Sequence, residues 1–143
     1  MLHLNIQGFL NNYLYLQCFL NTHPVKDNII SINEHWLSEE EINLYTPNNF
    51  KLAAIFCRKS TLKRGGSAIY VHSGLRHSII DVSDYALEVH FEAVAVKIIE
   101  FNLIVISVYR TPNSDYKLFA LQLDRLLLMI SKKISRAGFS GLQ

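Results

Sequence analysis

The sequence is poor in the residues that build the simplest recognisable sites. It holds two cysteines, Cys18 and Cys57. Two cannot complete a four-ligand zinc site, and no CxxC spacing occurs. A single disulfide between them stays open, but in a chain with no secretory feature they read as buried free thiols. The six histidines fall into no HExxH or other ligand spacing, which leaves most of them as surface or packing residues. Charge is scarce too: 18% of residues are charged against 50% hydrophobic. That excludes a disordered tail and suits a fragment that packs against more protein. The net charge of +2 neither demands nor excludes a nucleic-acid partner, so any phosphate binding must come from local clusters. No run reaches the ~18 apolar residues of a membrane span. The apolar start of the chain lacks a basic flank and is broken by Asn5, Gln7, Asn11, Asn12 and Gln17, so it does not read as a signal peptide. An intracellular protein, in nucleus or cytoplasm and free of the membrane, is expected.

What is present is an alternation of strand and helix patterns. Residues 2–6 read as a short strand with Gly8 as a turn. Phe9, Tyr13, Leu16 and Leu20 then recur at helical spacing, and His23-Pro24 ends that helix because proline lacks an N–H and restricts the residue before it. Residues 28–33 form a second, β-branched strand. Strand, helix, strand at this spacing makes a βαβ unit with parallel neighbours. Ser38-Glu39-Glu40-Glu41 is a capping box that starts a short helix ending before Pro47, and Trp36 reads as a packing anchor below it. Strand-like runs follow at 51–57, 67–71, 89–98 and 103–109. The first two flank a basic loop closed by Gly65-Gly66 and should pair as an antiparallel hairpin. A turn-rich connection from Arg110 to Asp115 leads to a helix over 116–133. Phe119, Leu123, Leu126, Leu127 and Ile130 share one face of it, and Lys132 and Lys133 complement the dipole of its last turn. The order predicts an α/β chain with a sheet of mixed direction. Residues 136–143 (RAGFSGLQ) do not read as a strand.

Candidate chemistry gathers at strand ends. Asn5 closes the first strand, Glu34 the second and Tyr109 the last. Each has an ordinary reading when taken singly. Asn5 can be a turn residue bonding its own backbone. Glu34 can be a solvated carboxylate beside a helix N-terminus, and Tyr109 a packed ring with a wet hydroxyl. His35 adjoins Glu34, but alternation along a strand points it to the opposite face, so it is given no catalytic role. The best cluster of basic charge is Arg58, Lys59, Lys63 and Arg64 in the hairpin loop, either a grip on DNA phosphates or a solvated loop. Arg110, next to Tyr109, is a better placed candidate for substrate contact, and Asn113 joins it.

Four short stretches change the weight of these residues. They are His3-Leu4-Asn5-Ile6-Gln7-Gly8, Ile32-Asn33-Glu34-His35-Trp36-Leu37, Gly65-Gly66-Ser67-Ala68-Ile69-Tyr70-Val71 and Ser107-Val108-Tyr109-Arg110-Thr111-Pro112-Asn113. In order, spacing and placement they resemble the endonuclease/exonuclease/phosphatase superfamily. The wording of the second and fourth is most similar to endonuclease domains of non-LTR (LINE, jockey-type) retrotransposons, and the likeness runs from Leu2 to Lys133. It implies catalytic roles for Asn5, Glu34 and Tyr109. Glu34 would be the Mg²⁺ ligand, Asn5 a hydrogen-bonding group near the metal and the attacking group, and Tyr109 a contact to the scissile phosphate. Mg²⁺ suits such oxygen donors and keeps several waters. Phosphodiester hydrolysis needs a cation to neutralise charge, a base for water and donors that fix the in-line geometry. Asn5 and Tyr109 would orient as neutral donors, and neither is a strong base. DNA is the implied partner.

The later motifs of the family are missing. Where it places Gly-Asp-x-Asn, after the helix expected to end near Lys133, this sequence reads Ala137-Gly138-Phe139-Ser140-Gly141-Leu142-Gln143. No Ser-Asp-His stretch follows to supply a general-base pair. The resemblance therefore implies an incomplete copy: a partial domain over residues 1–134 and a divergent tail over 135–143. Its fold class is α/β, the N-terminal lobe of a four-layer α/β sandwich, with one mixed sheet and its flanking helices. The inner face of that sheet would be an apolar patch open to self-association. The expected function is a Mg²⁺-dependent DNA-nicking endonuclease domain that this chain does not complete. The alternatives are an inactive remnant or interaction module, and another phosphatase or abasic-site repair nuclease of the superfamily.

Overall fold

The structure, a computed structural model, describes residues 1–23, 26–60 and 64–139. β1 (Leu2–Asn5), α1 (Phe9–Thr22) and β2 (Ile29–Asn33) form the expected βαβ unit, with β1 and β2 parallel in a register that sets Asn5 beside Asn33. Phe9 and Leu16 of α1 are buried, and Tyr13 and Leu20 pack beside them, which is the stripe that helical spacing predicts. Gly8 takes a left-handed φ of 97° before the helix, and the Asn12 amide donates to the carbonyls of Ile6 and Gly8 at 3.0 Å each. Those bonds fix the angle at which the chain leaves β1. Pro24, expected to stop this helix, lies outside the described residues.

α2 (Glu39–Ile42) starts with the expected capping box, Ser38 Oγ accepting from Glu41 N while the Glu41 carboxylate accepts from Ser38 N. β3 (Phe50–Phe56) and β4 (Ser67–His72) pair antiparallel, with a register shift between Leu52 and Ala54. The strand order β1-β2-β4-β3 makes a mixed sheet with β2 and β4 inside. Both inner strands are covered on two faces, which is why their sequences run mostly apolar rather than alternating.

The single sheet expected for this chain is in fact two. β5 (His77–Ile80), absent from the sequence expectation, joins β6 (Glu92–Ile98) and β7 (Leu103–Tyr109) in an antiparallel sheet of order β5-β6-β7. Its inner face packs on the first sheet: Ile29, Ala53, Ile69 and Val71 meet Val94, Val96, Ile98 and Val105 in one buried cluster. The inner face expected to lie open is therefore covered from within the chain, and self-association through it loses its physical basis. α1 and α2 cover the outer face of the first sheet. α3 (Tyr116–Phe139) covers the second, with Leu126 and Ile130 buried against Phe91, Ala93 and Ala95. The layers thus run helix, sheet, sheet, helix.

α3 departs from expectation in length and in face. It continues past Lys133 to Phe139, across the boundary expected at 134, so Arg136 and not the lysine pair lies in its last turn. Asp115 opens it by accepting from the N–H groups of Lys117 and Leu118 at 2.8 and 3.2 Å. Leu127 is 49% exposed; it follows buried Leu126 by about 100° around the helix and turns away from the sheet. Both cysteines are free, but Cys18 is exposed on α1 and Cys57 only half-buried. Among the described residues no helix is long and apolar enough to cross a membrane.

Candidate active site

Asn5, Glu34 and Tyr109 meet at one end of the interface between the sheets. Glu34 Oε1 accepts from Asn5 Nδ2 at 2.8 Å and from Tyr109 Oη at 2.7 Å. Asn5 ends β1 and Tyr109 ends β7, while Glu34 follows the last residue of β2. In an unbroken strand Asn33 and Glu34 would point to opposite faces. Glu34 instead adopts a φ of 59°, and this left-handed step lets both side chains reach β7. Asn33 does so by donating to the Val108 carbonyl at 3.2 Å. Such a φ costs a non-glycine residue about 1 kcal/mol, and the backbone around it supplies the restraint. Glu34 N donates to Gly66 O at 2.8 Å, Gly8 N to Glu34 O at 2.9 Å and Trp36 N to Gly65 O at 3.0 Å.

A buried polar seam joins the sheets behind the cluster. Ser31 donates to Ser107 at 2.8 Å, and Ser107 and Ser67 both donate to Asn33 Oδ1, at 3.1 and 2.9 Å. His3 Nδ1 lies 3.0 Å from Ser31 Oγ; since the Ser31 hydrogen goes to Ser107, the imidazole supplies the one between them. Asn33 thereby ties β2, β4 and β7 together and fixes the distance between Glu34 and Tyr109. These positions were not among the sequence candidates. The signal for them was a serine or asparagine in each of several otherwise apolar strands.

His35 faces away from the cluster, as expected, and is fully buried. Burial pushes its imidazole down to about 4, with the Phe56 carbonyl only partly offsetting this. The neutral ring donates from Nε2 to Phe56 O at 3.0 Å and accepts from Leu37 N at Nδ1, also at 3.0 Å. Trp36 packs on Gly8 at the start of α1; a Cβ on Gly8 would sit 3.0 Å from its ring. The Arg64 guanidinium lies 5.5 Å over the same ring.

The basic loop divides. Arg58 is withdrawn from solvent, its side chain 5% exposed, with Nε 2.5 Å from Oε1 of the fully buried Glu92. It is therefore not available to a DNA phosphate, because leaving would strand a buried carboxylate. Lys59 and Arg64 are exposed, and Lys63 lies outside the described residues. Glu88 holds the loop by accepting from the N–H groups of Lys59 and Ser60 at 3.2 and 3.1 Å. Arg110 is exposed beside Tyr109 and reaches Ser114 Oγ at 3.4 Å, and Asn113 is exposed in the turn before α3.

No family model matches the chain, and no curated protein matches it. What the site can do must be argued from its donors. Glu34 is half-buried and spends one carboxylate oxygen on Asn5 and Tyr109; among the described residues Oε2 accepts nothing. Asn5 uses its amide nitrogen on Glu34, which leaves Oδ1 outward. One carboxylate and one amide oxygen fit a Mg²⁺ ion held mostly by water and phosphate, the manner in which that ion commonly binds. They do not fit a protein-built cage, and among the described residues no group of three or more His, Cys, Asp or Glu side chains gathers. Burial raises the Tyr109 pKa, and the hydrogen bond to Glu34 raises it further. The phenol is thus a donor, not a base.

Proposed function

We propose that Asn5, Glu34 and Tyr109 form the metal- and phosphate-facing part of a Mg²⁺-dependent phosphodiester endonuclease site of the non-LTR retrotransposon kind. The observation that carries this reading is the shared acceptor, Glu34 Oε1, reached at 2.8 Å from Asn5 and 2.7 Å from Tyr109 although these residues lie far apart in sequence. The helix–sheet–sheet–helix layering supports the sandwich fold of the endonuclease/exonuclease/phosphatase superfamily. Bound Mg²⁺ would supply charge neutralisation on the phosphoryl oxygens. Glu34 Oε2 would hold the ion, Asn5 would orient what approaches it, and Tyr109 would donate to a phosphate oxygen. Arg110, Lys59 and Arg64 are left as the exposed cations to meet a DNA backbone, a contact that positions without reading sequence.

Turnover also needs a base for water, and this set offers none. Asn5 has no basic atom, Tyr109 keeps its proton, and among the described residues Glu34 belongs to no group of three or more His, Cys, Asp or Glu side chains. This favours a domain that binds cation and DNA without cutting, the inactive-remnant reading of the same site. A supercoiled-plasmid assay with Mg²⁺ or EDTA, run beside a DNA-binding titration, separates the cases. The expected result is no nicking, with Mg²⁺-dependent binding that Glu34→Gln abolishes. EDTA-sensitive nicking lost in Glu34→Ala would overturn the non-cutting reading. Binding indifferent to both Mg²⁺ and Glu34→Gln would overturn the site.

A further inference from the structure

We infer that Glu92, held by Arg58, is a positioning residue for the Glu34–Tyr109 pair and acts through the Gly66 peptide. The proposal rests on reading that pair as the working site. Glu92 is fully buried at the start of β6, directly across the sheet from Tyr109. A buried carboxylate must be paired and hydrogen-bonded. This one accepts from Arg58 Nε at 2.5 Å, Gly66 N at 2.6 Å and Val89 N at 3.2 Å.

Gly66 then turns its carbonyl to Glu34 N at 2.8 Å. One residue therefore links the buried carboxylate to the backbone that carries the site carboxylate. Gly66 has no side chain by which it could be gripped. It sits at φ 92°, and a Cβ there would lie 2.2 Å from His35 Nε2. The neighbouring Gly65 is as confined, against the Arg58 guanidinium at 2.2 Å. Polar contacts must therefore hold this stretch in place. An apolar pair in place of Arg58 and Glu92 would serve stability as well, but it would leave the Gly66 N–H without the acceptor that sets its direction.

The test is the double variant Arg58→Met/Glu92→Leu, which removes both charges together and keeps apolar bulk. Backbone amide exchange is followed by ¹⁵N NMR. We expect a folded double variant in which the Gly66 and Glu34 amide protons exchange on the order of tenfold faster, while Ile69, paired with Ser31 in the middle of the first sheet, keeps its protection. A folded variant in which the Glu34 amide exchanges as before overturns the proposal. Glu92→Asp, which keeps the charge and shortens its reach, gives the same readout. If neither variant folds, the unchanged chain decides: a downfield, slowly exchanging Gly66 amide proton is expected, and an ordinary fast-exchanging one overturns the proposal. None of these readouts needs DNA or cleavage, so failure of the endonuclease reading would be seen separately.

Discussion

Tyr109 Oη stands 2.7 Å from the Glu34 oxygen that Asn5 Nδ2 reaches at 2.8 Å, so one carboxylate oxygen gathers the ends of β1 and β7 beside the end of β2.

That bond has a consequence at high pH. Burial first, and then the bond to Glu34, raise the Tyr109 pKa above its ordinary value. The fold thus holds this proton more tightly than the unfolded chain does. The stabilisation is complete below the unfolded value of about 10 and is lost as pH rises through the folded one. Urea midpoints measured from about pH 8 to 11 should fall more steeply in the unchanged chain than in Tyr109→Phe. Tyr70, also raised by burial, contributes equally to both. At neutral pH the variant should be less stable by about 1 kcal/mol.

His35 acts at the other end of the scale. Its pKa is lowered by burial to about 4, so its contribution is present above the unfolded value of about 6.5 and is lost as pH falls from there toward the folded one. The full loss is about 3 kcal/mol. Denaturation of His35→Gln should start from a lower stability at neutral pH and lack this acid slope. An equal slope in both proteins would mean that His35 is accessible and charged.

Within the basic loop, neighbouring residues should behave differently. Arg58→Met leaves the Glu92 carboxylate buried and unpaired and should cost about 3–5 kcal/mol. Lys59→Ala, at an exposed position, should stay within about 0.5 kcal/mol. Urea denaturation of the two variants checks this, and equal losses would remove Arg58 from the core.

Much of the first sheet was legible because its signals are local. The βαβ unit follows from periodicity and chain length, the β3–β4 hairpin from Gly65-Gly66, and the α2 capping box from Ser38 and Glu41. Asn5, Glu34 and Tyr109 each end a strand-like run, but what singled them out was the resemblance of four short stretches to one superfamily, not their position alone. The second sheet was not legible as a sheet: which face β6 turns toward β3 and β4 is a tertiary fact, and β5 is too short to declare itself. Arg58 looked like surface charge, since its partner Glu92 is distant in sequence and only pairing explains a buried arginine. Leu127 and Cys18 looked apolar enough for the core, but each sits on the outer side of its helix. The left-handed turn at Glu34 has no mark in the sequence, and it is what brings Glu34 and Asn33 to the same strand.

The most direct test of the central claim uses Mn²⁺ as a paramagnetic stand-in for Mg²⁺, since both favour oxygen donors, in an amide NMR titration of the purified chain. The account predicts selective broadening at Asn5, Ile6, Glu34 and Arg110, reversed by excess Mg²⁺ and absent in Glu34→Gln. Broadening that ignores these residues, or that persists unchanged in Glu34→Gln, would contradict it.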